Sequence, residues 1–215
     1  FGGHIDQSDG TAWMGFYSMN MLKISLDLSK DNPVYQDMAT KFFEHFLAIA
    51  TAISGSGGGD HSLWDSEDGF FYDWLHMTDG TSEPLKVRSL VGLMTLLAVE
   101  TLDPELFKSM PDFARRVNWF VKNRPHLSGN MASIEVPGVG ERRLISILTR
   151  ERLESVMRYL LDENEFLSDY GIRSVSKYHE AHPYTLVADD MNFSLSYQPA
   201  ESRSGLFGGN STWRG

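Results

Sequence analysis

The sequence predicts an all-α chain, part of an α/α barrel with loop and short hairpin excursions, and three observations carry that reading. Two segments, Thr11–Ser29 and Arg88–Leu102, place apolar residues in nearly every direction around a helix. Each is followed by an amphipathic segment with one wet face. The order of buried helix, surface helix and loop then occurs twice along the 215 residues. A helix that is apolar on all sides has to be covered on all sides. A two-layer ring does this, because its inner helices face both a central axis and an outer helical layer. Inner helices are expected near Thr11 and Arg88, outer ones near Asn32, Asp103 and Thr149, which makes about half of such a ring.

Each element has its own justification. In "TAWMGFYSMNMLKISLDLS", Trp13, Met14, Phe16, Tyr17, Met19, Met21, Leu22, Ile24, Leu26 and Leu28 leave little of the helix surface polar. Asn32-Pro33 reads as an N-cap followed by proline at the first helical position. The helix it opens runs to about Ile53, with Val34, Met38, Phe42, Phe46, Ile49 and Ile53 on its apolar side. Gln36, Asp37, Lys41 and Glu44 form its wet face. A Gly-rich loop, "SGSGGGDHS", precedes "LWDSEDGFFYDWLHMTDGTSEPLKV", where two Asp-Gly turn signals around an aromatic run predict a short hairpin. Asp103-Pro104 caps a helix interrupted near Pro111 and continuing to about Lys122. "PHLSGNMASIEVPGVGERRLIS" is irregular, and Thr149 caps a further helix with Glu151 in its first turn. After about Phe166 the chain is loop-rich.

Composition narrows the functions. A formal net charge of −10 argues against a nucleic-acid or anionic-membrane surface. No run of apolar residues reaches the ~18 of a membrane span. The absence of cysteine removes disulfides, thiolate metal sites and cysteine nucleophiles, and fits a reducing, cytoplasmic location. The first residues, Phe1-Gly-Gly-His, are not a signal peptide and lack an initiator methionine, and "SRSGLFGGNSTWRG" closes the chain on a pocket-like loop. Both ends therefore read as cut from something longer, so the remainder of its own chain is an expected partner.

The chemistry-bearing residues crowd into loops. "HIDQSDGTAW" sets Asp6, Gln7 and Asp9 just before the first buried helix. Asp9 either caps that helix or offers a carboxylate to a hydroxyl-rich ligand at the mouth of the ring. "LWDSEDGFFYDW" gathers Trp64, Asp65, Glu67, Asp68, Tyr72, Asp73 and Trp74. Tryptophan next to carboxylates suits a sugar, whose apolar face stacks and whose hydroxyls donate to bidentate carboxylates. Ordinary turn aspartates in a hairpin are the alternative. "SYQPAESRSGLFGGNSTWRG" repeats the theme with Tyr197, Gln198, Glu201, Arg203, Trp213 and Arg214. His179 and His182, with Asp189-Asp190 nearby, have a metal-compatible spacing but no HExxH-type set around them, and no metal or cofactor is expected. Neither a phosphate-binding glycine fingerprint nor a nucleophile elbow is present.

Four stretches, "QSDGTAWM", "LWDSEDGFFYD", "SDYGIRSVSKYHE" and "STWRG", resemble the (α/α)6-barrel catalytic domain of glycoside hydrolase family 63, the family of processing α-glucosidase I. The resemblance spans essentially the whole chain. It implies an inverting α-glucosidase acting on an oligosaccharide or small glucoside, with one carboxyl as general acid and another as general base. The family's acid lies upstream of the motif holding Asp9, and its base lies downstream of Trp213-Arg214-Gly215. No catalytic pair is therefore carried over. Asp6, Gln7, Asp9, Trp13, Trp64, Asp65, Glu201, Arg203, Trp213 and Arg214 are expected to line a substrate pocket. Thr212 stands where many members have tyrosine. A non-catalytic carbohydrate-binding or scaffolding barrel is the competing expectation. A helical interaction module is disfavoured, because its conspicuous residues belong on helix faces rather than in loops.

Overall fold

The computed structural model describes residues 2–55, 61–129, 131, 134–188 and 191–198. The chain divides into two compact units. One draws on Phe1–Asp9, Leu63–Met94 and Glu154–Gly215, as far as these are described, and the other on Gly10–Ser62 and Thr95–Leu153.

The second unit is mostly helical. It holds α1 (Ser8–Leu28) beyond its first two residues, α2 (Tyr35–Ile53), α4 (Pro104–Ser109), α5 (Pro111–Asn123) and the single turn α6 (Pro125–Ser128). Prolines at the first positions of α4, α5 and α6 explain why three helices follow so closely, since each ring forbids the preceding helix from running through it. The core of this unit is aromatic. Phe43 and Phe46 of α2 and Phe113 of α5 are fully buried, and Phe43 meets the rings of Phe113 and Phe120 edge-on at 6.4 Å. Burying each such side chain contributes about 1.5–3 kcal/mol. Arg116 of α5 reaches Asp37 and Thr40 of α2 at the rim, and Gln36 accepts the Phe113 N–H at 3.3 Å.

Helix α1 lies against this core along Ala12, Met19, Leu22 and Leu26. Gly15 lets it approach closely, because a Cβ there would sit 3.2 Å from the Ala98 Cβ. The expected burial on most sides is not found. Trp13, Met14, Tyr17, Ile24 and Leu28 form a stripe 44 to 57% exposed. Helix α2 fully buries Phe46 and Ile53 of the expected face, but its core side is shifted. Phe43 and Leu47 are core, whereas Val34 and Met38 are exposed.

The other unit is built from hairpins. Strands β1 (His4–Asp6), β4 (Asp73–His76) and β5 (Ser82–Leu85) form a three-stranded antiparallel sheet with β4 in the middle. Beside it are the two-stranded ladders of β2 (Trp64–Asp65) with β3 (Phe70–Phe71), β8 (Leu167–Ser168) with β9 (Gly171–Ile172), and β10 (Tyr184–Ala188) with β11 (Met191–Leu195). Both Asp-Gly signals fall on turns, with Gly69 and Gly80 at positive φ. The helical turns α3 (Leu90–Leu93) and α8 (Tyr178–Ala181) also belong here. So does α7 (Arg150–Leu161) from Glu154 onward. The predicted start of α7 holds, with Thr149 Oγ1 accepting the Arg152 N–H at 3.4 Å.

The all-α reading, and with it the (α/α)6 barrel, is overturned by the five antiparallel sheets among the described residues. The decisive segment is Arg88–Leu102. It is helical only over α3 and a 3-10 turn at Met94–Leu97, and then becomes strand β6 (Val99–Leu102). Strand β6 pairs with β7 (Arg143–Ser146), from the segment read as irregular. A run that is apolar all round carries no period to separate helix from strand. Here the β-branched Val99 and Thr101, with a partner strand more than forty residues on, decide the matter.

Candidate functional site

The hairpin unit gathers ionic and hydroxyl groups around one residue, Arg88. It follows β5, where the chain leaves the three-stranded sheet and turns into α3. The turn is fixed by Ser89, whose hydroxyl caps α3 by accepting the Val91 N–H, and by a bridge from Ser89 to Val175. The Arg88 guanidinium pairs with Glu165 at 2.7 Å and lies 4.0 Å from Asp68, with only 16% of its side chain exposed. It also covers the rings of Tyr178 and Tyr159, at 4.1 and 5.1 Å. Its planar, always-charged head suits carboxylate pairing and ring stacking together in a way an ammonium does not.

The carboxylates around it are held as acceptors. Glu165 takes the Arg88 pair on one oxygen and the Ser176 hydroxyl on the other. Asp68 accepts the Tyr72 hydroxyl at 3.0 Å and Lys86 at 3.2 Å, while its backbone carbonyl accepts the Tyr159 hydroxyl. Asp65 accepts the N–H groups of Glu67 and Asp68 on one oxygen and pairs with Lys86 at 2.8 Å on the other. Burial acts to raise the Asp65 pKa, but those N–H donors and the Lys86 ammonium outweigh it and hold the carboxyl below its ordinary range. Burial pushes the Tyr72 hydroxyl far up, so it remains a donor. His179 closes the cluster from below. Its Nε2 accepts the Arg88 N–H at 2.9 Å, which assigns the proton to Nδ1, donating to the His182 carbonyl. Burial lowers the His179 pKa, partly opposed by that carbonyl. With both ring nitrogens engaged, the His179–His182 spacing does not form a metal pair.

Among the residues expected in a pocket, Asp65 lies in this cluster and Trp64 beside it on β2, half-buried with its ring 4.8 Å from that of Phe71. Asp6 lies on β1, where it meets His76 of β4 at 3.0 Å. Gln7 is exposed at the end of β1. Asp9 sits inside the first turn of α1, 1% exposed, rather than ahead of the helix. The carboxylate that reaches the helix start is Asp73, whose Oδ1 accepts the Ser8 N–H at 2.6 Å. Trp13 belongs to the helical unit, exposed on α1 with its ring edge-on to Phe16. Glu201, Arg203, Trp213 and Arg214, and the pair Asp189-Asp190, lie outside the described residues.

Lys86, Arg88, Tyr159, Glu165 and Ser176 were missed. The available signal was indirect. Asp65, Asp68 and Tyr72 come from "LWDSEDGFFYD", and Ser176, Tyr178 and His179 from "SDYGIRSVSKYHE", two stretches already singled out. Arg88 itself was hidden in the segment read as an inner helix.

An uncharacterized protein of Saccharomyces cerevisiae, YMR196W, is 47% identical over 226 aligned positions. The match covers 100% of this chain but 21% of that relative, so the chain spans about a fifth of its length. No protein-family model matches the chain, and no solved structure matches it. Among the described residues no helix is long and apolar enough to cross a membrane.

Proposed function

We propose that this chain is part of a glycoside hydrolase, an inverting α-glucosidase acting on an oligosaccharide or small glucoside, and that the Arg88 unit supplies part of its sugar-binding wall. One observation carries the reading. Two stretches that resemble glycoside hydrolase family 63, about a hundred residues apart, converge on a single polar cluster beside a half-buried tryptophan. Trp64 offers an apolar face to a pyranose, and the exposed Glu67 on the same hairpin offers acceptors to its hydroxyls. Asp65, Asp68 and Glu165 position that surface through Lys86 and Arg88. Asp65 is a poor proton donor, since a general acid needs a raised pKa and its own is lowered. The resemblance puts the acid before the motif holding Asp9 and the base after Trp213-Arg214-Gly215, in keeping with a relative about five times the length of this chain.

The same observation favours a second reading, carbohydrate binding without cleavage, because ionised acceptors serve recognition as well as catalysis. The test is to assay the intact protein on aryl α-glucosides and follow the product anomer by NMR. The expected result is turnover releasing the β-anomer first. Trp64→Ala should raise KM by roughly 2–10-fold while kcat holds, as loss of a stacking contact implies. Binding without turnover hands the case to the second reading, and no binding of any glucoside removes both.

A further inference from the structure

We propose that one face of the β1–β4–β5 sheet is a binding site for a divalent transition-metal ion of the zinc type, with His4, Asp6 and His76 as its protein ligands. His4 stands directly opposite His76 in the β1–β4 ladder, and His76 directly opposite Ser82 in the β4–β5 ladder. Opposed residues share a face of the sheet, and so does Asp6, two positions on from His4. Sheet periodicity thus collects two imidazoles, a carboxylate and a hydroxyl on one patch three strands wide. One donor atom from each of His4, Asp6 and His76 lies within 4.8 Å of the other two.

Ser82 steadies the His76 ring from the side away from Asp6. Ser82 Oγ is 2.8 Å from His76 Nδ1, and Asp6 Oδ2 is 3.0 Å from His76 Nε2. A ligating imidazole is commonly oriented through its other nitrogen. A hydroxyl suits that task because it can donate or accept. Here Nε2 faces Asp6 and Nδ1 faces Ser82. With metal, Nδ1–H donates to Ser82, and the Nε2 lone pair and an Asp6 oxygen both turn to the ion.

Bond lengths of about 2.0–2.2 Å in a tetrahedron set donors roughly 3.3–3.6 Å apart. The His76–Asp6 pair is already within a few tenths of an ångström of that. The main adjustment is at His4, whose ring is stacked on that of His76 at 4.4 Å and 9° and must turn to aim a nitrogen at the same point. His4 is exposed, so the turn costs little packing. Two nitrogens and one oxygen select zinc or cobalt over calcium or magnesium, which prefer all-oxygen shells. Three protein ligands leave a fourth position for water or substrate. Sequence spacing could not show this set, because His4 and His76 are brought together only by the ladder.

The site does not depend on the carbohydrate reading. Its test is calorimetric titration of the intact protein with Zn2+, alongside the visible absorption of added Co2+. Wild type should take up Zn2+ here and give a tetrahedral-type Co2+ band. His4→Gln and Asp6→Asn, both exposed positions, should each weaken binding about 10–100-fold and abolish the band, and Ser82→Ala should weaken it ~10-fold. Circular dichroism of each metal-free variant should match wild type, which separates ligand loss from misfolding. Equal Zn2+ affinity in wild type, His4→Gln and Asp6→Asn overturns the proposal, as does a wild type that binds neither ion.

Discussion

The unit around Phe43 and the unit around Arg88 bury different things. In the first, the centre is rings and aliphatic chains, and ions such as Arg116–Asp37 sit at the rim. In the second, an arginine and a glutamate with 16% and 13% exposed side chains sit inside a shell of tyrosines. An apolar core tolerates any packing of the right volume. An ionic one has to match donors to acceptors, and a surface that meets a polar ligand needs that directional order. The buried ion pairing therefore lies in the hairpin unit and most of the buried apolar side chains in the helical one.

The comparison is most exposed to failure at the two centres. Phe43→Ala should cost about 3–5 kcal/mol in chemical denaturation, by cavity and lost transfer energy. Arg88→Met should cost a similar ~3–5 kcal/mol, because it strands Glu165 in a poorly solvated place. The difference lies in rescue. Adding Glu165→Leu to Arg88→Met should recover ~2 kcal/mol or more, since an apolar replacement of a buried pair is often tolerated. If the double variant is no better than the single one, the hairpin unit is not held by its ions as described.

A smaller effect comes from Gly92 of α3. A Cβ there would lie 2.3 Å from Phe70 Cε1 and 2.5 Å from the Phe71 carbonyl. Gly92→Ala should therefore cost about 1–3 kcal/mol, read as a lower denaturation midpoint.

Acid should loosen the hairpin unit through His179. Its folded pKa is depressed, chiefly by burial, so the unfolded state takes up the proton first. The stability it contributes is complete above the unfolded value of about 6.5 and is lost as pH falls from there through the lower folded pKa. Amide exchange in α3 and α8 should accelerate over that window, and His179→Gln should flatten the response. Smallest of all, Tyr17→Glu and Ile24→Lys on the exposed stripe of α1 should change stability by no more than ~0.5 kcal/mol. A larger loss from either would mean the stripe is covered.

How far the sequence could be read follows the same divide. The long helices α1, α2, α5 and α7 were legible, and so were the prolines opening α4 and α5 and the threonine before α7. By contrast, α1 opens at Ser8 rather than Thr11, and α2 at Tyr35 behind Val34 rather than at Pro33. Both Asp-Gly turns were legible because glycine at positive φ leaves a mark at one position. The pairing of β2 with β3 and of β4 with β5 falls where a hairpin was expected, but the other strands, at most five residues each, are too short for alternation to register. Strand β6 was hidden in an apolar run that a helix would fit as well. In the cluster, Asp65 and Trp64 stood out by local density. Arg88, Tyr159 and Glu165 did not, because what makes them notable is which distant residue each one meets. On α2 the expected Phe46 and Ile53 are core, while Met38 and the preceding Val34 are exposed and Phe43 and Leu47 take their place inside.

The bond from Ser8 to Asp73 has a consequence in time. The start of α1 is sealed by a carboxylate 65 residues further along the chain. At a synthesis rate of about 5–20 residues per second, that carboxylate is made roughly 3–13 s after the amide it binds. During that interval the growing chain carries a helix whose first turn is open at its positive end. Fragments released before residue 73 should show fraying at Ser8 and Asp9 that vanishes in longer ones, a step in the order of assembly set by a single hydrogen bond.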